Sequence, residues 1–393
     1  MTLLSIDVPY LSNILEDLLK IPSPTGYTDE IVRHVCNELE RLGVFYELTR
    51  RGAIRARLEG KDEKPARAFV SHLDTLGAQV KSLKDNGRLE VVPIGSWSAR
   101  FAEGARTTIF TDSGAYTGTI LPLKASGHTF NTGVDELPIG WDYVELRVDA
   151  YARTNDDLKK LGVDVGDIVS IDPQSEFLDN GFIVSRHLDN KAGVAVMLAA
   201  LKAFIDSGVT PTVDIYWLFT IAEETGHGAS AILPLEVASL VAIDNGTSAP
   251  GQNSDEFGVT IAMGDQTGPF DYHLTRKIAQ LCQDNAIKYQ KDVFRYYRSD
   301  AASAVEAGAD VRTALITFGI DASHGYERIH MHALRSLAEL ATVYATSTVE
   351  ITRDASDFSD LEGFTSQPTE DAEQVLTPDT SKPQSEPQHG PAE

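Results

Sequence analysis

Five side chains able to bind a metal, His72, Asp189, Glu224, Asp244 and His324, each follow an apolar run with the character of a β-strand, and Glu223 stands directly before one of them. Imidazole nitrogens and carboxylate oxygens suit zinc, cobalt or manganese, and a catalytic site must leave positions open for water and substrate. Two ions sharing a carboxylate lower the pKa of water and offset the negative charge that builds on an attacked carbonyl. Such a pair still needs a proton acceptor. Glu223 beside Glu224 supplies it, one carboxylate binding metal while its neighbour takes the water proton and passes it to the leaving amine. The set predicts a dinuclear metal hydrolase site. Asp189 is the candidate bridge, because a helix-start position is rigid and lets both oxygens face outward.

The elements that must position these groups are legible in the flanking residues. ARAFVSHLDTLG brings a short strand to His72 and then to Asp74, and side chains two apart on a strand point the same way, one to ligate and one to orient it. VDIYWLFTIAEETG reads as a longer buried strand ending at Glu223 and Glu224, ASLVAIDNG as a third ending at Asp244, and RTALITFGIDASHGYE as a fourth that delivers His324. Asp189, within FIVSRHLDNKAGVAVMLAALKAF, lies where a strand hands over to an apolar helix. Ligand crevices form at the carboxyl ends of strands in open α/β sheets, so residues this far apart can converge. Taken singly, each has an ordinary reading: an incidental HxD, a solvated EE pair, a helix cap at Asp189, a turn at Asp244–Asn245–Gly246. The EE pair ends a strongly apolar strand, which argues against a solvated helix face. The coincidence of all of them carries the weight.

The wider pattern is α/β with an interruption. Apolar spacing predicts a helix over residues 9–21 and a second from Thr28 to Gly43, then a strand around Tyr46 to Leu58 and the strand before His72. From about residue 78 to 182 helical periodicity nearly vanishes, and short β-like runs are broken at Asn86–Gly87, Ser113–Gly114 and Gly118. After Asp189 the rhythm resumes, with helices expected near 190–206, 270–285 and 326–346. The expected organisation is a catalytic domain in two parts, residues 1–77 and 183–353, split by an inserted β-rich domain over 78–182. Residues 354–393 are rich in Ser, Thr, Pro, Gln, Asp and Glu and are expected to form a disordered tail.

Composition narrows the function classes. At 393 residues the chain can bury a large core, and its formal charge of −24 argues against nucleic acid, whose phosphates it would repel. Cys36 and Cys282 are the only cysteines, too few for a disulfide framework or a thiolate zinc cluster, which fits a reducing cytoplasm. No run approaches the length of a membrane span, and the opening MTLLSIDVPY lacks a basic stretch before an apolar core, so a soluble, unprocessed protein is expected.

SHLDTLG, SRHLDNKAG, FTIAEETG and VAIDNG together resemble the metal motifs of the dinuclear zinc aminopeptidases of the tetrahedral and glutamyl aminopeptidase type, in metallopeptidase clan MH. VELRVDAYARTNDDLKKLGVDVGDIVSIDP resembles the return from that family's inserted β domain, and the likeness covers roughly residues 10–346. The resemblance implies a mixed-sheet catalytic domain sandwiched by helices with an inserted β-barrel-like domain. It implies His72 and Asp244 on one metal, Glu224 and a histidine on the other, Asp189 bridging, Asp74 orienting His72 and Glu223 as general base and acid. It also implies short peptides as substrates and assemblies of dimers, often dodecamers.

The chain departs from that pattern in places. The last histidine of the family opens an HSPxE-type motif, whereas HGYERIHMH offers His324, His330 and His332; His324 is favoured because it follows the strand and precedes Glu327 closely, while the other two fall on the predicted helix. In YYRSDAAS, Tyr297 and Arg298 stand where the family tends to have small residues, with Ser299 and Asp300 preserving the end of the motif. Arg298 is expected to pair a neighbouring acid rather than substrate, His227 to be a solvated loop residue, and His128 is a candidate to reach a neighbouring subunit. The YYRSDA and DASHGYERIH segments resemble a bacterial branch associated with the osmolyte N-acetylglutaminylglutamine amide. Two alternatives therefore stand beside the aminopeptidase: an amidohydrolase acting on an N-acylated amino acid or capped dipeptide, and an inactive binding or scaffold protein of the same fold.

Overall fold

In a computed structural model, residues 3–368 are described. Helices α1 (Val8–Lys20) and α2 (Asp29–Leu42) come first, then strands β1 (Phe45–Leu48), β2 (Ile54–Leu58) and β3 (Asp62–His72). The single strand expected over 46–58 is two, because the Arg50–Arg51–Gly52 turn folds β2 back antiparallel onto β1. Gly43, at φ 72°, ends α2 in the left-handed conformation that glycine adopts without a Cβ clash.

Six strands then close into an antiparallel barrel: β4 (Gly77–Leu83), β5 (Leu89–Ile94), β6 (Arg106–Thr111), β7 (Gly114–Pro122), β8 (Val144–Val148) and β9 (Ile168–Ile171), in the order β4-β5-β8-β7-β6-β9. Short helices α3 (Gly127–Phe130) and α4 (Asn155–Lys160) lie in its connections. Closure leaves no free edge. The barrel fills its interior with its own apolar cluster, including Val91, Ile109, Ile120, Leu146 and Val169, separate from the main core.

Strands β10 (Glu176–Phe177) and β11 (Phe182–Ser185) lead into α5 (Leu188–Ser207), followed by β12 (Val213–Thr220), β13 (Val237–Thr247), β14 (Val259–Asp265) and β15 (Gly268–Pro269). The chain continues through α6 (Tyr272–Asp284), β16 (Tyr289–Val293), α7 (Asp300–Glu306), β17 (Arg312–Ile320), β18 (Glu327–His330) and α8 (Met331–Thr346). The main sheet runs β1-β2-β12-β3-β13-β17-β14-β15, with β16 paired to β14. Its centre, β12, β3, β13 and β17, is parallel. Those strands are apolar on both faces, as in Val213–Thr220, where every residue is buried. Trp217 stacks on Phe69 of the neighbouring strand with ring centroids 4.9 Å apart.

Two expectations are corrected here. The helix predicted from residue 326 begins at Met331, because Glu327–His330 pair with β11 as a strand. The strand expected to stop at Asp244 continues to Thr247, since its ladder with β17 runs on to Ile320. Asp300–Glu306 form a helix that apolar spacing did not single out. Of the predicted tail, residues 354 and 355 end a 3₁₀ turn, Thr352–Ala355, where Asp354 is held by Arg312 at 2.5 Å, and residues 356–368 are irregular and largely exposed; residues 369–393 lie outside the described residues. Among the described residues no helix is long and apolar enough to cross a membrane.

Helix α5 is buried along nearly its whole length and packs on β3 and β13. Its approach is set by Gly193, where an added Cβ would lie 2.2 Å from Asn190 Oδ1 and 2.8 Å from both the Ile243 carbonyl oxygen and Ser71 Oγ. Those atoms are themselves tied together, because Ser71 Oγ and Asn190 Nδ2 both donate to that carbonyl, at 2.7 and 2.8 Å. The helix start, β3 and β13 therefore meet at one point with no room for a methyl group. Gly193→Ala is expected to lower stability by about 1–3 kcal/mol, as overpacking of a tight core does. An unchanged denaturation midpoint would show that α5 can retreat freely.

Candidate active site

The carboxyl edge of the parallel strands gathers the predicted residues. His72 is the last residue of β3, opposite Thr220 at the end of β12, and the turn after β12 carries Glu223 and Glu224. Asp244 lies near the end of β13, and Asp189 at the start of α5, where its backbone and that of Asn190 depart from helical angles. His324 follows β17 with φ 64°, a conformation unusual for a residue with a side chain.

Asp189 is the centre of the arrangement. Its Oδ1 lies 3.2 Å from His72 Nε2, and its Oδ2 lies 3.4 Å from His324 Nε2. His324 Nε2 is also 3.7 Å from Glu224 Oε2, and His72 Nε2 is 3.8 Å from Glu223 Oε2. One ligand atom from each of His72, Asp189 and Glu224 falls within 4.8 Å of the others. Among the described residues, Asp189 Oδ1 and Glu224 Oε1 are buried without a hydrogen-bond partner. The 3.2 Å approach of His72 to Asp189 therefore lacks hydrogen-bond alignment. Ligands about 2.0–2.2 Å from a tetrahedral ion stand roughly 3.4 Å from one another, so these spacings and orphaned oxygens fit a shared cation.

The electrostatics lead to the same point. Burial pushes the Glu223 carboxyl well above the usual carboxylate range, with Asp244, Asp300 and Glu224 adding to the rise and His72 opposing it. Burial likewise lifts Glu224 to about 8, with Asp189 adding and His324 opposing, and lifts Asp244 to about 7. His324, despite a burial penalty on its charged form, is raised to about 11 by Asp189 and Glu224. Asp189 is held far below its ordinary value by both histidines, although burial works against this. A pocket in which three of these acids and both histidines are raised is short of positive charge, which a divalent cation would supply.

A surrounding set of donors fixes the carboxylates. Asp74 accepts from the backbone N–H of Glu223 at 3.1 Å and of Glu224 at 3.3 Å, and from Thr25 Oγ1 at 2.6 Å. His72 Nδ1 instead meets the Asp74 main-chain carbonyl at 2.8 Å, with the nearest carboxylate oxygen 3.6 Å away. The orienting contact comes from the Asp74 backbone, and its carboxylate anchors the Glu223–Glu224 turn. Glu327 accepts from the backbone N–H of Asp189 at 3.2 Å and of His324 at 3.0 Å, and Asn245 Nδ2 donates to Asp189 Oδ2 at 2.6 Å. His324 Nδ1 meets the Ser96 carbonyl at 2.8 Å, so the segment after β5 of the barrel helps to hold the histidine.

His324, rather than its two alternatives, faces this pocket. His330 Nε2 is engaged by the Asn180 carbonyl at 3.0 Å while its Nδ1 accepts from the His332 backbone N–H, and His332 is exposed. Arg298 pairs with Glu306 at 2.5 Å, as expected of a neighbouring acid. His227 and His128 are exposed. Glu327, Asn245, Thr25 and Ser96 were not singled out for these contacts, since nothing in short polar segments tells which distant backbone they will meet. Asp300, recognised only as the end of a motif, is buried and accepts from Thr220 Oγ1 at 2.5 Å and the Ala229 N–H at 2.8 Å.

Residues 52–340 match the sequence profile of the family described as M42 glutamyl aminopeptidase. A Bacillus subtilis (strain 168) protein named "Putative aminopeptidase YhfE" is 37% identical over 335 residues, 85% of this chain and 96% of that protein. The fold is similar to a TET aminopeptidase from the marine sediment archaeon Thaumarchaeota archaeon SCGC AB-539-E09, with TM-score 0.78, 17% identity and coverage of 86% of this chain and 96% of that one. It is also similar to the Pyrococcus horikoshii TET1 peptidase, which can assemble into a tetrahedron or a large octahedral shell, with TM-score 0.74, 22% identity and coverage of 86% and 100%. By sequence and by architecture, the chain belongs to the M42 glutamyl aminopeptidase family.

Proposed function

We propose that this protein, a peptidase by family, is a metal-dependent aminopeptidase that removes residues from the amino ends of short peptides. The observation that carries this reading is the Asp189 carboxylate, with one oxygen facing His72 and the other His324 while Glu223 stands alongside. In this reading His72 and Asp244 would hold one divalent cation and Glu224 and His324 a second, with Asp189 a ligand available to both; zinc is the expected metal and cobalt or manganese are alternatives. When bound, such cations supply the positive charge that eases deprotonation of water and offsets charge on the attacked carbonyl oxygen.

The remaining work falls to the chain itself. Glu223 takes a proton from the attacking water at a carboxylate oxygen and delivers it to the departing amine, which leaves as a neutral group. Its reach is set by the turn that Asp74 clamps through the Glu223 and Glu224 backbone N–H groups. The acidic pocket favours the free ammonium end of a peptide over an N-acylated end, because an acylated nitrogen carries no charge to offset the carboxylates. A closed homo-oligomer built from dimers accompanies this reading and would admit short or unfolded chains.

Hydrolysis of aminoacyl nitroanilides in preference to N-acetyl dipeptides is the expected result for the purified, metal-loaded protein. Exclusive cleavage of the capped substrates would replace the reading with a deacylase, and no hydrolysis of either with zinc, cobalt or manganese would leave a binding protein. Glu223→Gln is expected to lower turnover by about 10²–10⁴ with metal content unchanged. Wild-type rates in that variant would remove Glu223 from the mechanism. His324→Ala is expected to reduce bound metal while His330→Ala retains it, as read by metal analysis after dialysis, and the opposite order would reassign the last ligand.

A further inference from the structure

Tyr297 is a large residue beside the pocket that the proposed reaction leaves without a task. The segment that carries it follows β16 and is fixed from its backbone: Phe294 N–H donates to the Gly264 carbonyl at 3.1 Å, and the Tyr297 carbonyl accepts from the Gln266 N–H at 3.1 Å. The ring rests against Phe294, centroids 5.5 Å apart, and against the main apolar core. The phenol is therefore aimed by main-chain bonds and ring packing.

What the phenol reaches is unusual. Its hydroxyl is buried, yet among the described residues no acceptor or donor lies in hydrogen-bonding geometry to it. Asp244, Asp189 and Glu223 are its charged neighbours; the Asp244 carboxylate comes within hydrogen-bonding reach of the hydroxyl, but not in an aligned geometry. Asp244 Oδ1 already accepts from the Asn245 N–H at 2.7 Å. Leaving a buried hydroxyl without an aligned partner costs about 1–3 kcal/mol, so this one is free to donate to a group that enters the pocket.

Resting on the aminopeptidase reading, we propose that Tyr297 is a catalytic residue that donates its hydroxyl hydrogen bond to the substrate carbonyl oxygen as that oxygen gains negative charge. No bond to the phenol forms or breaks, and the proton stays on Tyr297 throughout. The donor lies beside Glu223 and Asp189, where water attack on the carbonyl is proposed, and it is held in place before substrate enters. Preorganised donors of this kind act mostly on the transition state, because the neutral carbonyl of the bound substrate accepts more weakly than the developing oxyanion.

The test compares wild type with Tyr297→Phe, which keeps the ring and removes only the hydroxyl. Turnover of an aminoacyl nitroanilide is expected to fall by about 10²-fold with KM within a factor of two. The affinity for a phosphinic dipeptide, whose tetrahedral oxygen carries the charge, is expected to fall by a similar factor by calorimetry. Affinity for the free amino acid product, bound metal and the melting temperature are expected to be unchanged or, for the last, slightly higher, since an unpartnered buried hydroxyl is lost. Wild-type turnover and phosphinate affinity in the variant would overturn the inference. So would a drop in metal content or melting temperature accompanying the loss, which would make Tyr297 a support for Asp244. A wild-type protein inert toward all peptides would instead overturn the aminopeptidase reading, and the inference with it.

Discussion

Everything at the site rests on keeping several carboxylates together in a buried pocket where two imidazoles, His72 and His324, face Asp189. Asp189 sits between His72 and His324, with Glu223, Glu224 and Asp244 close by, and burial raises three of those acids. Unpaired buried charge is costly, and the chain meets that cost with fixed dipoles. Backbone N–H groups of residues 223 and 224 go to Asp74, those of residues 189 and 324 go to Glu327, and that of residue 229 goes to Asp300. What these dipoles do not balance fits a cation, since the buried Asp189 Oδ1 and Glu224 Oε1 are among the described atoms without a hydrogen-bond partner.

Holding such a set within a few ångströms requires a scaffold that does not give. Four parallel strands in fixed register deliver His72, the Glu223–Glu224 turn, Asp244 and the loop of His324 to one edge. Helix α5 brings Asp189 to the same edge only because Gly193 lets it touch the Ile243 carbonyl and Ser71. The barrel adds Ser96, whose carbonyl orients the His324 ring from a chain segment more than two hundred residues away. A second, self-contained apolar core makes the barrel rigid enough to contribute that contact.

Family membership and site geometry divide the functional argument between them. The relationship to the M42 family accounts for the peptidase class, while the arrangement around Asp189 suggests which atoms take part. Tyr297 illustrates the difference. A tyrosine in place of small residues is visible in YYRSDAAS, but neither the burial of its hydroxyl nor the want of an aligned partner among the described residues is. Its position follows from main-chain bonds to Gly264 and Gln266, and spacing along the chain does not predict those.

The strands and helices with strong periodicity, the change of texture at the barrel, and the residue types able to bind metal were legible from the residues alone, because these depend on local patterns of apolar and polar side chains. Local rules also misjudged what pairing decides. Residues 326–330 read as helix but form a strand because β11 offers an edge, and the run over 46–58 splits because its arginines and glycine fold back. Only the tertiary structure distinguished His324 from His330, since the difference lies in what each imidazole meets: Asp189 and Glu224 in one case, the Asn180 carbonyl in the other. It also decided that Asp74 steadies His72 through its carbonyl and the Glu223–Glu224 turn through its carboxylate. Hydrogen bonds are short-ranged and directional, so which groups share one is settled when the strands close against each other.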